Sequence, residues 1–304
     1  MNQVRPSAPQ LAGLEPYDPK YLPARALLSA NENPHDVDED VRRAVMRELG
    51  RLPLNRYPDP HQKLLKQKIA ALKGVREEQV FIGNGSDEAI DLCYRIFCRP
   101  GVDNAVSIAP TYGMYRVAAD INDVEMREVA LGADFSLPAD ALLAAADERT
   151  RLLWLCSPNN PTGNAFPAAG IERLLREFDG MVVLDEAYVD FADGAGFLPR
   201  LDEFPNLIVL QTLSKAWGAA GLRLGMAFAS PEIVAILNKI KYPYNVNMLT
   251  QKQALELLNN EREMLDQLRR IMSERIRLQA ALPELPIVQK MYPTDANFIL
   301  VNVG

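Results

Sequence analysis

"NLIVLQTLSKAWGAAGLRLGMAFA", residues 206–229, decides the fold. Four apolar residues, Leu207 to Leu210, follow one another with no polar alternation, as in a strand covered on both faces. The run ends in a concentrated polar group: Thr212, Ser214 and Lys215. Four small residues, Gly218, Ala219, Ala220 and Gly221, then carry the chain past Arg223 into a second apolar run, "LRLGMAFA" (222–229).

Working outward, similar short runs recur at "VFIG" (80–83), "AVSIAP" (105–110), "RLLWLC" (151–156) and "MVVLDEA" (181–187). Helical patterns over 86–98, 112–120, 138–146 and 167–178 separate most of them. Strands alternating with helices predict an α/β fold, a mostly parallel sheet with helices on both faces. Upstream, Val37, Val41, Val45 and Leu49 recur every four residues, "RYPDP" (56–60) interrupts, and a second amphipathic helix runs to about Leu72. Downstream, Ser230-Pro231-Glu232 reads as a helix start. Residues 248–281 hold neither glycine nor proline and predict one long charged helix, and "NFILVNV" (297–303) predicts a final strand. The expected organisation is an arm over 1–30, a large domain over 31–245 and a smaller α+β domain over 246–304. A terminal strand without a partner makes that smaller domain look incomplete.

The 304 residues are 48% hydrophobic and 24% charged, with a net charge of −7. Basic clusters of the kind that bind nucleic acid are missing from the sequence, as is any apolar run of about 18 residues that would span a membrane. The first 19 residues lack the apolar stretch of a secretory signal. Cys93, Cys98 and Cys156 form no even framework and read as small core residues of a reducing, cytoplasmic protein, not as metal ligands.

In open parallel sheets ligands sit beyond the carboxyl ends of the strands, and unusual polar residues gather there. "VFIG" runs into Gly83-Asn84-Gly85-Ser86-Asp87 at a helix N-terminus, whose free N–H groups suit an anion; read alone, Ser86 and Asp87 are ordinary caps. The glutamate at position 88 breaks a dinucleotide fingerprint and argues against a nicotinamide-dependent dehydrogenase. Tyr112, in "APTYGMY", is placed to cover a flat ligand or simply to be buried. "SPNNPTG" (157–163) is a rigid turn able to point the amide of Asn160 at the strand ends. Asp185 follows four apolar residues and needs a cation or strong donors to stay ionised, unless it caps a helix. Lys215, by default a surface residue, follows the next strand. An anion cradle, an aromatic face, a buried carboxylate and an amine together suit one ligand, pyridoxal phosphate.

With "LSANENP", "RYPDP", "GNGSDEAIDL", "APTYGMY", "CSPNNPTG", "VVLDEAYVDF" and "TLSKAWGAAGLRLG" in this order from residue 28 to 225, the chain resembles the fold-type I aminotransferases, in particular the branch acting on histidinol phosphate. The resemblance covers nearly the whole chain. It implies a seven-stranded sheet and transamination between L-histidinol phosphate and 2-oxoglutarate, giving imidazole-acetol phosphate and glutamate in histidine biosynthesis. Lys215 is then the Schiff-base lysine and proton carrier, Asp185 the partner of the pyridine nitrogen and Tyr112 the stacking ring. Asn160 and Tyr188 bond the 3-oxygen; Ser86, Asp87, Thr212, Ser214 and Arg223 hold the phosphate. Tyr57 reaches the neighbouring subunit's phosphate, which implies a homodimer. Asn31 and Tyr17 line the substrate side. One departure stands out: the family carries a substrate-recognising arginine beyond the last strand seen here, and Arg262, Arg269, Arg270, Arg275 and Arg277 do not match its motif. The resemblance therefore leaves open a related enzyme, an aromatic aminotransferase or threonine-phosphate decarboxylase, and an inactive cofactor-binding remnant.

Overall fold

The computed structural model describes residues 8–11, 14 and 25–304. Seven strands, β1 (Val80–Asn84), β2 (Asn104–Ala109), β3 (Glu125–Ala130), β4 (Thr150–Cys156), β5 (Met181–Asp185), β6 (Leu207–Thr212) and β7 (Leu224–Phe228), form one sheet in the order β1-β7-β6-β5-β4-β2-β3. Only β7 runs against its neighbours, pairing antiparallel with both β1 and β6. The other pairings are parallel.

Because side chains alternate along a strand, each apolar run feeds two cores. Ile82, Leu153, Leu155, Val182, Leu184, Leu207 and Val209 point to one layer. There they meet α2 (Lys63–Lys73), α5 (Ala139–Ala145) and α6 (Ala168–Glu177) through Ile69, Leu142 and Leu174. Phe81, Leu152, Trp154, Val183, Ile208 and Leu210 point the other way, onto α3 (Ser86–Phe97), α4 (Met114–Ile121) and α7 (Pro231–Ile240). Cys93, Cys98 and Cys156 are buried free thiols in this second layer.

β3 has no counterpart among the strands read from sequence. Its residues, Glu-Met-Arg-Glu-Val-Ala, alternate charged and apolar because it is the sheet edge, with Met126 buried and Glu125 exposed. The long helix expected over 248–281 is two helices, α8 (Met248–Asn259) and α9 (Glu261–Ala281). Asn260 breaks it: its side-chain amide donates to the Glu256 carbonyl, and its backbone (φ −109°) leaves the helical range. The final strand, β9 (Val301–Val303), is shorter than expected and is not alone. It pairs antiparallel with β8 (Val288–Met291), at a register shift that obscures the period-two pattern. The helix expected from Val37, Val41, Val45 and Leu49 is α1 (Glu39–Leu49), which packs against α8.

Candidate active site

The parallel strands deliver their carboxyl ends to one side of the sheet, and a cavity of about 450 Å³ opens there. Ser86 and Asp87 enter from the end of β1, Tyr112 from β2, Asn160 from β4, Asp185 and Tyr188 from β5, and Thr212, Ser214 and Lys215 from β6. Arg223 precedes β7, whose reversed direction brings its start to the same side. Asn31 lies on the segment that crosses the opening. The structure thus brings together ten of the expected cofactor residues and one expected substrate residue.

The anion-binding end starts at Gly85. Its φ of +78° suits glycine, and it leaves the N-terminus of α3 without a side-chain cap. The N–H groups of the first turn are therefore left without a side-chain cap, where Ser86 and Asp87 line the cavity. Gly225 on β7 allows this turn to lie against the sheet, since a Cβ there would sit 2.1 Å from the Ser86 nitrogen. Arg223, with φ +52°, pairs with Asp87 at 3.4 Å. The Tyr112 hydroxyl donates to the other Asp87 oxygen at 3.0 Å. Thr212 donates toward Ser214 Oγ at 2.9 Å and receives the Ser214 N–H at 3.1 Å. Ser86, Thr212, Ser214 and Arg223 all line the cavity.

Asp185 lies at the other end of the chemistry. It is 3% exposed, and its carboxylate accepts from Tyr115 Oη at 2.7 Å and from the Ala187 N–H at 3.0 Å. Burial outweighs these donors and pushes its carboxyl up to about 6. The next residue, Glu186, points to the opposite layer. There it accepts from the Phe197 N–H at 2.6 Å and from Gln211 Nε2 at 3.0 Å, and burial pushes it up to about 7. Only one of two successive carboxylates therefore reaches the cavity.

Lys215 is half-buried. Its Nζ donates to the Ala30 carbonyl at 2.7 Å and stands 5.6 Å from the Tyr188 ring centre. Burial lowers its basicity, against the opposing pull of Glu32 and Asp185. Asn31 Nδ2 donates to the Tyr188 hydroxyl at 3.1 Å, which orients the phenol. The two asparagines of "SPNNPTG" divide the labour. Asn159 is fully buried and bonds Thr111, Pro110 and Thr162, so the turn is fixed and Asn160 is presented to the cavity.

Two expected residues stand apart. Tyr57 does not line the cavity; it is 77% exposed and stacks on Tyr244 at 4.3 Å. Tyr17 lies outside the described residues. Arg223 is the arginine lining the cavity among the described residues. Arg275 serves structure instead, donating to the Phe191 and Ala296 carbonyls. Sequence reasoning missed Ser29, Ala30, Glu32, Cys156, Ala187 and Ala220, which also line the cavity. The first three lie in "LSANENP", where a strand-end argument gives no signal because no strand precedes them among the described residues. Tyr115 was missed too, although it lies one helical turn after Tyr112.

A family model described as aminotransferase class I and II matches residues 26–304. The histidinol-phosphate aminotransferase of Parabacteroides distasonis is 54% identical over 300 residues, covering 97% of this chain and 83% of the relative. That of Christiangramia forsetii is 48% identical over 301 residues, with 97% and 82% covered. Among solved structures, histidinol-phosphate aminotransferase from Sinorhizobium meliloti in complex with pyridoxal-5'-phosphate superposes with a TM-score of 0.80 at 26% identity, over 90% of this chain and 74% of that one. A structure described as a putative histidinol-phosphate aminotransferase from Erwinia carotovora gives 0.81 at 25%, over 90% and 80%.

Proposed function

Because the chain belongs to the class I and II aminotransferases, we propose that it moves the amino group of L-histidinol phosphate to 2-oxoglutarate with pyridoxal phosphate as cofactor, yielding imidazole-acetol phosphate and glutamate for histidine biosynthesis. The observation that carries the reading is one cavity holding Lys215, Asp185, Tyr112 and the uncapped start of α3. The substrate follows from the relatives, whose names agree across 46–54% identity.

The donor set fits the cofactor. A phosphate suits the α3 N-terminus, Ser86, Thr212, Ser214 and Arg223, which offer N–H groups, hydroxyls and a guanidinium. A protonated pyridine nitrogen suits Asp185, the buried acceptor at the end of β5. When bound, the cofactor supplies an electrophilic aldehyde and an electron-withdrawing ring. The chain's own groups do the rest. Tyr112, held by Asp87, would cover a ring face, and Asn160 and Tyr188 would hold the ring's oxygen substituent. Lys215 has lowered basicity, so a larger share is neutral amine near pH 7, as both a nucleophile and a base require. Its Nζ takes the proton from the substrate's α-carbon.

We further propose a cytoplasmic homodimer in which Tyr57 completes the partner's site. Its exposure, beside exposed Leu54 and Tyr242, supports that reading. The three unpaired thiols are consistent with a reducing compartment. We also read 31–245 as the large unit and 246–304 as a smaller one; the separate β8–β9 sheet supports this division.

The test is chemical. Purified protein with pyridoxal phosphate should absorb in the near-ultraviolet to visible, and borohydride should fix the pyridoxyl group on Lys215. Lys215→Ala should abolish the fixation; labelling that persists in the variant refutes the assignment. Histidinol phosphate with 2-oxoglutarate should yield glutamate and release no carbon dioxide.

A further inference from the structure

Tyr115 does not line the cavity, yet it touches two residues that do. It is 1% exposed, and its Oη lies 2.7 Å from Asp185 Oδ2. Its ring stacks on Trp154 at 4.9 Å and meets the Tyr112 ring edge-on at 5.6 Å. Its backbone carbonyl accepts the Tyr94 hydroxyl at 2.7 Å. The phenol is therefore fixed from three sides, and its hydroxyl has one direction to point. Burial and the neighbouring Asp185 charge hold its acidity well below that of free tyrosine, so it remains an O–H donor.

We propose that Tyr115 is the positioning residue of Asp185: its hydroxyl anchors one carboxylate oxygen at the end of β5 and so determines how firmly the site grips the pyridine nitrogen. The inference rests on the cofactor reading above. The charged or titratable groups facing Asp185 are Tyr115 from α4, Cys156 from β4, Asp87 from α3 and Lys215 beyond β6. Asp87 and burial disfavour its charge. Lys215 favours it, as do the two hydrogen bonds, from Tyr115 and from the Ala187 N–H. Removing the Tyr115 hydroxyl leaves a buried carboxylate with the Ala187 N–H as its hydrogen-bond donor among the described residues. The direction is then fixed: Asp185 takes up a proton more readily, and a neutral carboxyl cannot keep the pyridine nitrogen protonated.

The test compares wild type, Tyr115→Phe, Asp185→Asn and the double variant. In apoprotein labelled at aspartate Cγ, the Asp185 resonance should titrate near pH 6 in wild type. In Tyr115→Phe it should move up by about one to two pH units, the effect of losing a hydrogen bond to a charged group. Pyridoxal phosphate should bind Tyr115→Phe about tenfold more weakly at pH 7. The double variant should bind as Asp185→Asn alone, because Tyr115 acts through the carboxylate. An unchanged Asp185 titration in Tyr115→Phe overturns the proposal, as does an additive double variant. If wild type itself fails to bind pyridoxal phosphate while the Asp185 titration shifts as expected, the cofactor reading falls and the Tyr115–Asp185 anchor stands. Should Tyr115→Phe not fold, wild type labelled at tyrosine Cζ decides. One tyrosine resonance must follow the Asp185 midpoint and lose that movement in Asp185→Asn; if none does, the anchor is absent.

Discussion

Gly225→Ala places one methyl group where the structure has no room. Gly225 faces Gly83 on β1 and Thr212 on β6. A Cβ there would lie 2.1 Å from Ser86 N, 2.3 Å from the Gly85 carbonyl carbon and 2.7 Å from Ser86 Cα. All three are backbone atoms, so no side chain can swing aside. Restoring ordinary contact, 3.4 Å, displaces the start of α3 by roughly 1.3 Å. Overpacking of this kind costs about 1–3 kcal/mol, a fall in Tm of roughly 2–5 °C for a chain of this size. The same shift moves the N–H groups that face the proposed phosphate position, so pyridoxal phosphate should bind about tenfold more weakly or worse. The matched control is Gly221→Ala, in the same connection, where a Cβ would meet nothing within 4 Å. It should stay within about 0.5 kcal/mol of wild type. Scanning calorimetry of the apoprotein and spectral titration with pyridoxal phosphate measure both effects. If Gly225→Ala keeps the wild-type Tm and affinity, the close approach of β7 to the α3 turn does not shape the site.

Asn159→Ala should lower stability by about 2–4 kcal/mol in chemical denaturation, since it strips partners from Thr111, Thr162 and the Pro110 carbonyl. Asn160→Ala should leave stability nearly unchanged and shift the absorbance of the cofactor-loaded protein; equal stability losses would contradict the division of labour. Glu186 is raised to about 7 in the folded chain, so the folded state holds its proton where the unfolded chain releases it. Its contribution to stability therefore falls as pH rises from about 4.5 to 7, by up to roughly 3 kcal/mol, and Glu186→Gln should flatten that slope in a pH series of melting curves. Asp103 is buried against Arg99 and Arg151, and its carboxyl is held well below the usual range, chiefly by the Arg99 hydrogen bond. Asp103→Asn should destabilise the protein at neutral pH, and the gap to wild type should narrow as pH drops below about 4.

The strand-end logic made most of the site legible. Asp185, Lys215, Ser86 and Asn160 could be placed from sequence because apolar runs buried on two faces leave little doubt about where each strand stops. What escaped lay outside that logic. β3 is half wet, so its charges hide it, and β8 pairs through an irregular register. Residues 29–32 cover the cavity from a segment whose position depends on long-range bonds, such as Asn33 to the Ala216 carbonyl and to Gln267. The break at Asn260 is a single polar side chain competing for a backbone carbonyl. Tyr115 reads as one more buried aromatic until the fold brings α4 over the end of β5.

The end of β5 hands two successive carboxylates to opposite layers, Asp185 to the cavity and Glu186 to the far core. The arithmetic of the pleat makes this strand an encoder of parity. Deleting or inserting one residue between Met181 and Asp185 would exchange the two acids while leaving composition and net charge almost untouched. Insertions should therefore be tolerated in the connections that lead into the strands and rejected within them. A library of single-residue insertions across 178–190 would show where that boundary falls, and activity should be lost over the strand before expression is.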